Sequence, residues 1–127
     1  MPNQLRTLRK SITYACKGLA YTFKNEQNFR IQLVIAFVVV FFMILFRVEQ
    51  WEAVALVFVI AAVLITELLN TILERLVDIL KPRLSHYSEI VKDMMAAAVV
   101  IASLGAIIVG SIIFYPYFYS LIFKGVL

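Results

Sequence analysis

Residues 65–80 read ITELLNTILERLVDIL, and four of them could do chemistry: Glu67, Asn70, Glu74 and Asp78. On a helix these positions fall within one stripe of about 80°. Three carboxyls and a carboxamide then project as a column from one face. Carboxylates work as general bases, as ligands of hard metal ions, or as partners of basic side chains. The column costs stability, because like charges on neighbouring turns repel. The cost grows with its position, directly after the apolar run AVALVFVIAAVLIT. A carboxylate at a bilayer centre costs roughly 2.5–3.5 kcal/mol, and less towards the edge. A buried ion-pair network with Arg75 or Lys92 is the plainest explanation. A divalent metal site explains more of the pattern, since hard cations take several oxygen ligands.

The elements that must carry this column are apolar. Of 127 residues, 63% are hydrophobic, and mean hydropathy is +0.93. A soluble domain of this length has too little interior to hide that many apolar side chains. The composition therefore describes an integral membrane protein, and spans of helical length make it all-α. The first span covers roughly residues 29–48, its apolar run IQLVIAFVVVFFMILFRV starting at Ile31, near the length that crosses a bilayer core. The second runs roughly from 51 to 80, opening on Trp51 as an interface anchor and ended by Lys81-Pro82. A polar loop follows over 81–92, with Lys81, Arg83, His86 and Lys92. The third span covers roughly 93–119, rich in Ala, Ser and Gly that permit close helix packing.

Before the first span, Leu5, Leu8, Ile12, Cys16, Leu19 and Phe23 recur at steps of three and four. They predict an amphipathic surface helix over roughly 4–24, flanked by Arg6, Lys10, Lys17 and Lys24. About thirty residues precede the apolar run and no A-x-A-type site ends it, so it reads as a retained span rather than a cleaved signal. The basic arm and the basic 81–92 segment predict a cytoplasmic N-terminus and second loop, with the acidic 47–52 turn and the C-terminus outside. In that membrane context the arm reads as facing anionic lipid and not nucleic acid. Cys16 and His86 are each the sole residue of their type; the lone cysteine excludes a disulfide framework or a multi-cysteine metal site within one chain, and the lone histidine reads as a solvated or hydrogen-bonding residue.

Topology brings three polar clusters to one plane. Trp51 to Glu67 is 16 residues, or ~24 Å of helix. Glu67 is thereby expected at the inner edge of the bilayer, with Glu74 and Asp78 beyond it. Asn25-Glu26 precedes the first span and Lys92-Asp93 opens the third, both at the same level.

Three stretches, NEQNFRIQ, ELLNTILERLVD and KDMMAAAVV, in this order and on a three-span chain, resemble the bacterial integral-membrane diacylglycerol kinase family, which includes undecaprenol kinases. The resemblance covers nearly the whole chain. It implies an enzyme of the cytoplasmic membrane that phosphorylates a lipid alcohol with ATP and Mg²⁺. It also implies a homotrimeric bundle with active sites shared between neighbouring subunits. By the same resemblance Glu67 is the general base and Glu26 and Glu74 hold the metal. Lys92 holds ATP phosphates, with Asp93, Glu26 and Glu74 in the nucleotide site. Asn70 lies near the transferred phosphate or the lipid hydroxyl, and Asp78, Arg30 and Arg9 order the site or contact substrate. Met95 and Gln32 depart from the family pattern, which bears on lipid selectivity or packing. Asn70-Thr71 and EQWE at 49–52 stand closer to the undecaprenol kinase branch.

The absence of a G-x-x-x-x-G-K-[ST] loop agrees with such an enzyme, in which side chains and a metal replace a glycine cradle. The rival reading is a non-catalytic oligomeric channel or transporter component using the acids as an ion path. That role would place the acids near mid-span, whereas here they cluster at one edge. A lipid phosphatase is disfavoured by the single His86 and the lack of a basic phosphate-binding signature. The lipid, diacylglycerol or undecaprenol, is not separable from these residues, since both present one hydroxyl on an apolar body.

Overall fold

The computed structural model describes residues 2–125, with Pro2 and residues 81–85 described by their backbone alone. Every regular element among the described residues is helical: α1 Pro2–Asn25, α2 Gln27–Phe46 and α3 Gln50–Tyr119, closed by a π-helical turn Ser120–Lys124. Three stretches are long and apolar enough to cross a membrane: Gln27–Phe46, Gln50–Leu80 and His86–Lys124. Val38, Val39 and Val40 are poor helix formers, yet α2 runs through them unbroken. In a bilayer each backbone polar group must be satisfied within the segment, and that requirement overrides side-chain propensity.

The 81–92 loop is a correction. The backbone stays helical from Gln50 to Tyr119, so Lys81-Pro82 does not end the helix. It nonetheless reverses direction. Glu52 and Tyr117 are hydrogen-bonded, although 65 residues of straight helix would hold them ~98 Å apart. Lys92 Nζ reaches Asp78 Oδ1 at 2.6 Å, which confines the reversal to the stretch between them. Proline removes one hydrogen bond and kinks a helix as readily as it stops one. Within the expected loop, Tyr87, Ile90, Val91 and Met94 follow helical spacing, in keeping with the unbroken helix. The side chains of Lys81 and Arg83, which enter the expected charge asymmetry, lie outside the described residues. α3 thus consists of two limbs, residues 50–80 and 86–119, packed with α2 as an up-down-up set of three spans.

The two short connections are held by backbone chemistry. Arg47 closes α2 in the left-handed region at φ 52°, and Arg47 N–H and Val48 N–H donate to the carbonyls of Ile44 and Met43. That pair of bonds is a Schellman closure, with arginine where glycine is usual. Glu26, extended at φ −119°, joins α1 to α2. Arg30 reaches back across this joint, donating to the carbonyls of Phe23 at 2.7 Å and Lys24 at 3.0 Å. Those carbonyls end α1 and have no partner within their own helix.

At the far end, Phe46 stacks on Tyr117 with ring centroids 5.5 Å apart, and Phe42 and Phe46 meet Phe118 edge-on. Buried Glu52 accepts from the Glu49 N–H and the Tyr117 hydroxyl. The interior is otherwise slim. Phe37, Ile44, Phe58 and Ile101 are each at least 70% exposed, on all sides of the bundle. Such a surface is unsustainable in water and suits lipid or further helices.

Candidate active site at one end of the bundle

The column expected from the sequence lies at the end of the bundle opposite the aromatic cluster. Glu67 is its innermost member, on the first limb of α3, and is 2% exposed. Gln32 of α2 donates its Nε2 to Glu67 Oε2 at 3.1 Å. The Thr71 hydroxyl, one turn on, donates to the Glu67 carbonyl. Thr71 therefore serves the backbone and leaves the carboxylate to Gln32. Glu26 and Glu74 are the two further acids whose charges act on Glu67. Both are half-buried.

Asn70 is half-buried beside this group, and its Oδ1 is fully enclosed without a hydrogen-bond partner. Gln32 Oε1 is the other such atom among the described residues. A buried polar atom left unpaired costs roughly 1–3 kcal/mol, so a site holding two of them suits something that arrives with partners.

The acids do pair with Arg75 and Lys92, but not as one buried network. Arg75 Nη2 donates to Glu26 Oε1 at 2.9 Å, across 49 residues, and its guanidinium stands 6.0 Å from the centre of the Tyr21 ring. Lys92 pairs with Asp78 and also feels Glu74. The groups therefore run as a string from Glu26 and Glu67 through Glu74 to Lys92 and Asp78. Asp93 follows Lys92 and is exposed. Arg30 lies at the joint, where its guanidinium caps α1. Arg9 is not gathered here; it sits 16 residues before Asn25 on α1, or ~24 Å along the helix.

Among the described residues no three His, Cys, Asp or Glu side chains converge to hold a metal ion by themselves. The donor set still fits Mg²⁺ shared with a nucleotide, because Mg²⁺ is commonly held by one or two carboxylates together with substrate phosphates and water. Glu26 and Glu74 are two such carboxylates.

A groove of about 630 Å³ opens between α2 and both limbs of α3. Its walls are chiefly apolar, among them Ile35, Val63 and Phe114, and Gln32 contributes a polar edge. The hydrogen bond from Gln32 thus joins an apolar groove to a buried carboxylate. In the sequence Gln32 stands out only as a departure from the family pattern. The available signal was its position, as the one polar side chain between Ile31 and Phe46.

Comparison with known proteins gives a consistent picture. A family model described as prokaryotic diacylglycerol kinase matches residues 13–114. A diacylglycerol kinase of Synechocystis is 36% identical over 121 residues, 94% of this chain and 67% of the relative. The diacylglycerol kinase of Escherichia coli K12 is 32% identical over 109 residues, 86% of this chain and 89% of the relative. That of Shigella flexneri matches to the same extent.

Proposed function

The chain belongs to the prokaryotic diacylglycerol kinase family, a family of lipid kinases, and from that membership we propose that it transfers the terminal phosphoryl group of ATP to the hydroxyl of a membrane lipid alcohol. The reaction takes place at the cytoplasmic edge of the bilayer. The observation that carries this reading is Glu67: a carboxylate 2% exposed, bonded to Gln32 at the edge of an apolar groove, with Glu26 and Glu74 close enough to act on it.

In the proposed reaction the alcohol oxygen forms a bond to the γ-phosphorus while the bond from that phosphorus to the β-bridging oxygen breaks and ADP leaves. Glu67 accepts the alcohol proton. Asn70 borders this position, and its unpaired Oδ1 suits a donor on the substrate or on a water that accompanies it. Lys92 sits at the aqueous end of the string, where it exchanges Asp78 for ATP phosphates. Glu26 and Glu74 hold Mg²⁺, which when bound neutralises phosphate charge. Asp93 orders the nucleotide end.

Diacylglycerol is the first substrate to test, because the relatives carry that name. Undecaprenol is the second, on the likeness at 49–52 and 70–71. The exposed stripe of Leu5, Leu8, Ile12, Leu19 and Phe23 suits α1 to the membrane interface. The slim interior favours a homotrimer, with sites completed between subunits.

The test is purified protein in mixed micelles with labelled ATP and each alcohol in turn. Phosphorylated lipid is expected from at least one of them. Glu67→Gln should lower kcat by about 10²–10⁴-fold, the usual worth of a positioned base. Turnover retained in Glu67→Gln would remove Glu67 from that role.

A further inference from the structure

Gln32 stands where an apolar side chain would be expected. Every other residue from Ile31 to Phe46 is hydrophobic, and the groove beside Gln32 is chiefly apolar. Its carboxamide makes one hydrogen bond, from Nε2 to Glu67 Oε2 at 3.1 Å, and its own Oε1 is enclosed without a partner. A role in packing alone would favour Leu or Met, which bring no polar atom to satisfy. A role in a local polar network would leave Oε1 paired. What remains is the contact with Glu67. Charge fixes the sense of that contact: a carbonyl oxygen turned towards a carboxylate would be repelled, whereas the amide N–H₂ is attracted. The bond occupies Oε2 alone, and so sets which edge of the carboxylate faces a substrate.

We propose that Gln32 is the positioning residue of this kinase site: its Nε2–H holds one oxygen of Glu67, aiming the other at a hydroxyl delivered along the groove. The proposal rests on Glu67 acting as the base. Gln32 does not touch the reacting atoms and acts through Glu67. A base held by one directed bond keeps its orientation when the alcohol arrives, and a small loss of alignment is costly in a step that needs near-attack geometry.

The experiment compares Gln32→Met, Gln32→Asn and Glu67→Gln as full-length proteins in mixed micelles. Methionine keeps the length and removes the donor. Asparagine keeps the polarity but is one carbon short of Glu67. Both Gln32 variants are expected to lose about tenfold or more in kcat at saturating lipid, with KM for ATP within about twofold of the parent and an unchanged unfolding midpoint. A Gln32→Met kcat within about twofold of the parent overturns the proposal. So does a loss in both variants that tracks the fraction of folded protein, since that marks a structural role. Loss of turnover in Glu67→Gln alongside an active Gln32→Met sinks only the role of Gln32. Full turnover in Glu67→Gln sinks the base assignment and this inference together.

Discussion

Single side chains divide the acidic column into separate tasks. Glu67 is buried and bonded to a neutral carboxamide, whereas Glu26 and Asp78 are bonded to cations. A base should hold no permanent cationic partner, because that partner would compete for the proton acceptor; among the described residues Glu67 meets this condition. Glu26 and Glu74 should reveal themselves through the metal. Removing Mg²⁺ with a chelator should abolish turnover, and adding it back should restore it. Glu74→Gln should raise the Mg²⁺ concentration for half-maximal activity by about tenfold, since one of two carboxylate ligands is lost. An unchanged Mg²⁺ titration would remove Glu74 from the metal site. The column itself was legible in the sequence, because helical spacing alone puts positions 67, 70, 74 and 78 on one face. The partners were less so. Arg75 finds Glu26 across 49 residues and Gln32 finds Glu67 across 35, and such contacts depend on how α2 packs against α3.

Helices and their joints carry a different set of consequences. The three spans were readable from apolar length, and α1 from the stripe of apolar residues at helical spacing. The stretch 81–92 has the charge and proline that usually mark a loop, yet it is helical, and Tyr87, Ile90, Val91 and Met94 keep helical spacing through the same region. The Arg30 clamp on α1 was also invisible, since it uses backbone carbonyls that have no sequence signature. The joint after α2 offers a clean test. Arg47 lies at φ 52°, where a β-branched side chain is most strained. Arg47→Val should lower stability by about 1–2 kcal/mol, while Arg47→Gly should be neutral or mildly stabilising. At the same end, Tyr117→Phe removes one of the donors to buried Glu52 and should cost about 1 kcal/mol. Unfolding in detergent with both sets of variants reads these directly. Activity at the opposite end of the bundle should change little in folded Tyr117→Phe, because the cluster lies the length of a span away from Glu67.

The whole molecule raises the question of whether one chain suffices. Large apolar residues such as Phe37, Ile44, Phe58 and Ile101 face outwards, and the spans bury little among themselves. Within the chain, Lys92 is anchored on Asp78, which lies 11 residues beyond Glu67, or ~17 Å along the helix. One transferred phosphoryl group cannot touch both ends of that interval. Either ATP stretches along the string of one chain, or the cation that meets the phosphate near a given Glu67 comes from a neighbouring copy. The two cases separate when Glu67→Gln and Lys92→Met chains, each inactive alone, are unfolded together and reassembled. With self-contained sites the mixture stays inactive. With sites shared around a cyclic trimer, about a quarter of sites in an equal random mixture pair an intact Glu67 with an intact Lys92 from the next subunit. We expect recovery approaching that fraction, together with a particle mass in detergent equal to three chains plus bound amphiphile. Recovery depends on subunits exchanging: copies mixed after separate assembly should stay inactive, which distinguishes a shared site from a contaminating kinase.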